Sequence, residues 1–101
     1  MNFEPKISEV EIVPVKPRGG LIAFASFVLD DKYYVSSVAI FTKIDGSGFR
    51  LVYPSKKVGI RNINIFHPIN TEVGRAIEEA VSKKVNEIFN ETIYEQPTAN
   101  N

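Results

Sequence analysis

The segment Leu21-Ile22-Ala23-Phe24-Ala25-Ser26-Phe27-Val28-Leu29 decides the fold. It is far shorter than the roughly 20 residues a membrane-crossing helix needs. Pro17-Arg18-Gly19-Gly20 before it is turn chemistry, and Asp30-Asp31-Lys32 after it reads as a hairpin turn. The segment is therefore expected to be a strand. Ile22, Phe24 and Val28 fall on one face, and Leu21, Ala23, Ala25, Phe27 and Leu29 on the other. Apolar groups on both faces imply a central strand covered on both sides.

Other elements follow outward from it. Upstream, Glu9-Val10-Glu11-Ile12 alternates polar and apolar, the period of a half-buried strand. Pro14 cannot donate to a ladder, so this strand belongs at an edge or carries a bulge. Downstream, Tyr33 to Lys43 is rich in Tyr, Val, Ile and Phe and reads as a third strand. Asp45-Gly46-Ser47-Gly48 is a turn, and Phe49 to Tyr53 a short fourth strand ended by Pro54. Ser55 to Gly59 reads as a loop, and Arg61 to Ile65 as an optional fifth strand.

Asn70 is a suitable helix N-cap, and from Thr71 the period becomes helical. Val73, Ile77, Ala80, Val81, Val85, Ile88 and Phe89 form one stripe. The helix is expected to stop between Asn90 and Glu95. Residues 1–95 then form one domain, and 96–101 a disordered tail. The class is α+β: an antiparallel sheet of four to five strands followed by one C-terminal amphipathic helix. One helix covers one sheet face. The second apolar face implies a two-fold homodimer, or else a sheet curled on itself.

The 101 residues are 44% hydrophobic and 24% charged, ordinary for a folded domain. Twelve basic and twelve acidic side chains cancel. With no cysteine there is no disulfide, thiolate metal site or cysteine nucleophile. The opening residues lack a secretory pattern, so a cytoplasmic location is expected, without membrane, cofactor, metal or small-molecule substrate.

Charge placement is the anomaly. From Gly46 to Thr71 there are four basic residues (Arg50, Lys56, Lys57, Arg61) and no acidic one, where even spacing would place about three acids. Such a stretch offers cations to phosphate without local repulsion. Free N–H groups at the helix start near Asn70 and Thr71, with Arg75 close by, point the same way. Asn62, Asn64 and Asn70 add neutral hydrogen-bonding groups, and Tyr53 and Phe66 are candidate stacking rings. A solvated basic loop over buried aromatics is the plainer alternative. His67 lacks a partner for catalysis or metal binding and is read as a turn cap. Gly46-Ser47-Gly48 lacks the Lys-Ser/Thr of a phosphate loop and is read as a turn. Scattered carboxylates offer no acid–base pair, and no catalytic residue is assigned.

Pro54-Ser55-Lys56-Lys57, then His67-Pro68-Ile69-Asn70 and a terminal amphipathic helix, resemble the stage V sporulation protein G (SpoVG, septation regulator) family of bacteria. Val28 to Val35 is similar to that family's second hairpin, and the likeness runs from about Ile7 to Phe89. The resemblance implies a small dimeric DNA- and RNA-binding regulator of gene expression, septation or sporulation. It assigns nucleic-acid binding to Lys56, Lys57 and Arg61, with Arg75 at the helix start; Arg50 joins them on charge placement. The chain departs from the family pattern at Lys57, where an Arg is usual, and in its acidic first strand with Glu9 and Glu11. Gly74-Arg75 replaces an earlier helical Arg, and the spacing from Arg61 to His67 is longer. A protein-interaction module, docking through the acidic helix face or the edge near Pro14, is the alternative function.

Overall fold

β-Branched and aromatic runs separated by turns give six strands: β1 (Ile7–Arg18), β2 (Leu21–Leu29), β3 (Tyr33–Thr42), β4 (Phe49–Val52), β5 (Ser55–Val58) and β6 (Arg61–Asn64). One helix, α1 (Thr71–Ala99), follows. The computed structural model describes residues 4–99, with side chains as far as Phe89. β1 to β4 form an antiparallel sheet in chain order, and β5 and β6 form a separate two-stranded hairpin. The α+β class holds. One local expectation does not. Ser55–Val58 is a strand and not a loop; the further strand expected at Arg61 forms as Arg61–Asn64 and pairs with it in a separate hairpin.

The turns carry out their sequence chemistry. Asp30 and Asp31 both sit at positive φ (54° and 57°), and Lys32 N–H donates to the Leu29 carbonyl at 3.0 Å. Both central residues of a type I′ turn need this conformation, and Asp tolerates it. Lys6 clasps the turn. Its N–H donates to Asp30 Oδ1 at 2.8 Å, and its ammonium lies 2.9 Å from Asp31 Oδ2.

Three irregularities decide which side chains face the helix. On β1 the pairing shifts between Ser8 and Glu11, with Glu9 at φ 49°, so Ile7 and Val10 both reach the core. On β3, Ser36 and Ser37 stand opposite Ser26 alone, with Ser37 at φ 63°. That bulge lets Val35 and Val38, three residues apart, both be buried. On β2, Ile22 is an extra residue between the pairs Leu21↔Phe41 and Ala23↔Ile40. Strict alternation would put Ile22 beside Phe24 and Leu21 beside Ala23. The irregularity reverses both: Ile22 packs on the core, and Leu21 joins the row of Phe41 and Arg50.

The core lies between α1 and one sheet face. Ile77, Val81 and Val85, spaced by four on the helix, are buried with Ala23, Ala25, Phe27, Val38 and Ile40. Asn70 caps the helix, its Oδ1 accepting the Val73 N–H at 2.8 Å. α1 continues past the expected stop at Asn90–Glu95, because no Gly or Pro interrupts it between Gly74 and Pro97. Its backbone thus includes 96–99, expected as tail; Asn100 and Asn101 lie outside the described residues.

The other sheet face stays open. A row of cross-strand partners runs Val13, Phe24, Ala39, Val52. Val13 is 61% exposed and Tyr34, further along the sheet, 71%. The sheet does not curl to bury its own second face.

The Ser37 bulge gives a direct test. Ser37 is exposed, so substitution there acts through the backbone. Ser37→Val forces a β-branched residue to positive φ and should destabilise the protein by about 1–2 kcal/mol in urea unfolding. Ser37→Gly should cost nothing. Equal stability of the two variants would contradict the bulge.

Candidate nucleic-acid interface

The hairpin β5–β6 forms an arm. Gly59, at φ 63°, makes its tip turn, a conformation glycine takes without steric cost. At its base, Ile65 N–H and Phe66 N–H donate to the Pro54 carbonyl at 3.0 and 3.3 Å. Between tip and base run four pairs: Val58↔Arg61, Lys57↔Asn62, Lys56↔Ile63 and Ser55↔Asn64. All eight residues are exposed.

Side chains alternate along a strand, so these pairs separate two faces. Lys56, Val58, Arg61 and Ile63 share one; Ser55, Lys57, Asn62 and Asn64 share the other. Lys56 and Lys57, adjacent in sequence, therefore point to opposite sides. The first face is cationic and apolar. The second is wholly polar, with one cation. No carboxylate lies on either face.

The remaining sequence-derived candidates lie elsewhere. Arg50 sits on β4 with its guanidinium carbon 4.9 Å from the centroid of the Phe41 ring, a cation–π contact. It lines a cleft with Gly20, Phe41 and Lys43 at the far end of the sheet. Arg18 shares its row through Leu21 and Phe41. Lys43 does not stand out in the sequence, since only the pairing of the hairpins brings it beside Arg50. Asp45, in the same cleft, is tied to its own turn. The Ser47 hydroxyl and then the Ser47 N–H hold its carboxyl below the usual range.

Arg75 is exposed on α1, apart from the arm's strands. The helix start is less open to an anion than its sequence implies. Asn70 already takes the Val73 N–H, Gly74 N–H donates to the Asn70 carbonyl at 3.2 Å, and Glu72 adds negative charge in the first turn. His67 Nδ1 lies 3.1 Å from the Pro68 carbonyl oxygen. His67 thus fastens the turn ahead of the helix.

Tyr53 and Phe66 turn inward and are not free stacking platforms. Phe66 meets Phe27 edge-on at 6.5 Å between centroids and Tyr53 at 5.8 Å. The Tyr53 hydroxyl is buried without a hydrogen-bond partner among the described residues. Its pKa is pushed up to about 12, first by burial and then by the Glu78 carboxylate.

Among the described residues no three His, Asp or Glu side chains gather closely enough to hold a metal ion. No described helix is long and apolar enough to cross a membrane.

The fold and arm define a small α+β protein with a protruding basic hairpin, and comparison with known proteins gives it a family. Residues 5–87 match the SpoVG family model. Among relatives named as SpoVG septation proteins, that of Phytoplasma australiense is 30% identical over 98 residues, covering 95% of this chain and 99% of its own. That of Finegoldia magna is 36% identical over 86 residues, 83% of this chain and 77% of its own. The Clostridioides difficile relative is 31% identical over 84 residues, 81% and 88% of the two chains. The chain belongs to the SpoVG family.

Replacing Tyr53 checks the inward reading. Tyr53→Phe removes a buried unpaired hydroxyl and should leave stability at pH 7 equal or higher. The folded-state pKa of Tyr53 is raised above the unfolded value of about 10, so its contribution is present below pH 10 and lost as pH rises toward 12. The urea midpoint of Tyr53→Phe should therefore fall less than that of wild type between pH 10 and 12. Identical pH profiles would contradict this placement.

Proposed function

We propose that this SpoVG-family chain is a non-catalytic cytoplasmic regulator that binds nucleic acid through the β5–β6 arm and acts as a homodimer in gene expression or septation. The arm carries the reading. Lys56, Lys57 and Arg61 project from a free-standing hairpin inside a stretch, Gly46 to Thr71, that contains no carboxylate side chain. The balancing acids lie elsewhere; Glu72, Glu78, Glu79 and Glu87 are exposed on α1. A net charge of zero thus conceals a cationic arm and an acidic helix, and phosphate is attracted to the former. The names of the relatives supply the septation role.

The open sheet face supplies the dimer. Its central row is Val13, Phe24, Ala39, Val52. Two rows to one side lies Glu11 on β1, opposite Ser26. To the other side, beyond the register shift between Pro14 and Arg18, lies Arg18 opposite Leu21, in the row of Phe41, which is two residues from Ala39 on β3. A two-fold axis along the central row packs two such faces together and sets Glu11 of each protomer against Arg18 of its partner. The apolar row leaves water, and the charges at its flanks fix the orientation. Two arms on one dimer then bind together, the second at high effective concentration.

Two experiments test this reading. In fluorescence anisotropy, Lys56→Glu/Lys57→Glu should weaken binding to labelled DNA or RNA at least about tenfold, while Glu78→Lys/Glu79→Lys should not weaken it. A folded Lys56/Lys57 double variant that binds as tightly as wild type would overturn the assignment. In sedimentation velocity, wild type should run as a dimer and Phe24→Glu as a monomer. Glu11→Arg should weaken the dimer, and Glu11→Arg/Arg18→Glu should restore it. A Phe24→Glu dimer as stable as wild type would rule out this face.

A further inference from the structure

We propose that the arm is a base-reading ribbon. It enters the major groove of duplex DNA with Ser55, Lys57, Asn62 and Asn64 against the base edges. This inference rests on the nucleic-acid reading above and specifies the form of the ligand and the face that meets it.

Three observations carry it. First, the arm is a two-stranded sheet of its own, and all of its paired residues are exposed. Strands in such a ribbon lie about 4.8 Å apart, and the B-DNA major groove, about 12 Å wide, admits a two-stranded ribbon. The deep, narrow major groove of an RNA duplex does not admit side chains to its bases, so the shape selects DNA.

Second, the two faces carry different chemistry. The polar face holds Lys57 beside Asn62 and Ser55 beside Asn64. Asn pairs bidentately with the N6 and N7 edge of adenine, Lys donates to guanine O6 and N7, and Ser bonds either base. The opposite face holds Lys56 and Arg61, which lie level with the groove rim when the polar face is down. Phosphates line that rim. Lys56 and Arg61 thus position the arm, and Lys57, Asn62 and Asn64 discriminate.

Third, the spacing matches. Asn62 and Asn64 are two residues apart on one strand, about 6.8 Å, close to two base-pair rises of about 3.4 Å. The arm therefore reads a guanine or adenine at one step and an adenine two steps away.

The test starts from the full-length protein and a pool of randomised 20-base-pair duplexes. Selection should enrich one site, and dimethyl sulfate interference on that site should map to guanine N7 in the major groove. Asn62→Ala/Asn64→Ala should lose at least about tenfold in affinity for the enriched site, with affinity for unselected duplex and the salt slope unchanged. Lys57→Ala should lose discrimination at the guanine step. Lys56→Ala/Arg61→Ala should weaken binding to both duplexes alike and flatten the salt slope. Circular dichroism confirms that each variant is folded. Unchanged discrimination in the Asn double variant, interference only at minor-groove adenine N3, no enriched site, or tighter binding to RNA or single strands overturns the ribbon and leaves the nucleic-acid reading standing. No binding to any nucleic acid at low salt overturns both.

Discussion

One helix can cover only one face of a sheet, and this chain places apolar side chains on both. Ile77, Val81 and Val85 of α1 meet Ala23, Ala25, Phe27, Val38 and Ile40, and that contact supplies the buried core. Burial at about 25 cal/mol per Å² makes it the main source of stability. The helix leaves Val13, Phe24 and Val52 in water on the far side. The dimer proposal follows from this imbalance, because an apolar row flanked by Glu11 and Arg18 is complementary to itself.

The bulges let the sheet serve both faces. A regular strand would place Val35 and Val38 on opposite sides. The extra residue at Ser36–Ser37 turns both inward and leaves Tyr34 on the open side. The bulge at Glu9 does the same for Ile7 and Val10. These irregularities also close β1 to further strands, as do Pro14 and Pro17 within it. The sheet ends at β4, and the chain leaves it through Pro54 to form the arm. Tyr53 and Phe66 anchor the base of that arm against Phe27. The aromatics thus hold the basic hairpin in place.

The strands β1 to β4, the start of α1 and its buried stripe were legible in the sequence because apolar periodicity and turn residues agree there. The face of Leu21 and Ile22 was not, since an inserted residue changes no composition and leaves the apolar run intact. The sequence of β5 looks like a loop for a related reason. Ser55-Lys56-Lys57-Val58 has no apolar alternation, and only its partner β6 makes it a strand. Once it is a strand, the adjacent lysines must point apart, and the single basic patch becomes two faces. The carboxylate-free stretch holds the arm's cations and also Arg50. Pairing to Phe41 places Arg50 at the far end of the sheet, beside Lys43.

The central claim is that the arm binds phosphate in pairs, one from each protomer. The most direct measurement is the salt dependence of wild-type binding to a labelled duplex. Two rim cations per protomer, Lys56 and Arg61, doubled, predict a slope of log K against log salt near −3.6, at about −0.9 per phosphate neutralised. A slope near zero would contradict the account, because a protein that binds without releasing counterions is not using Lys56 and Arg61 on phosphate.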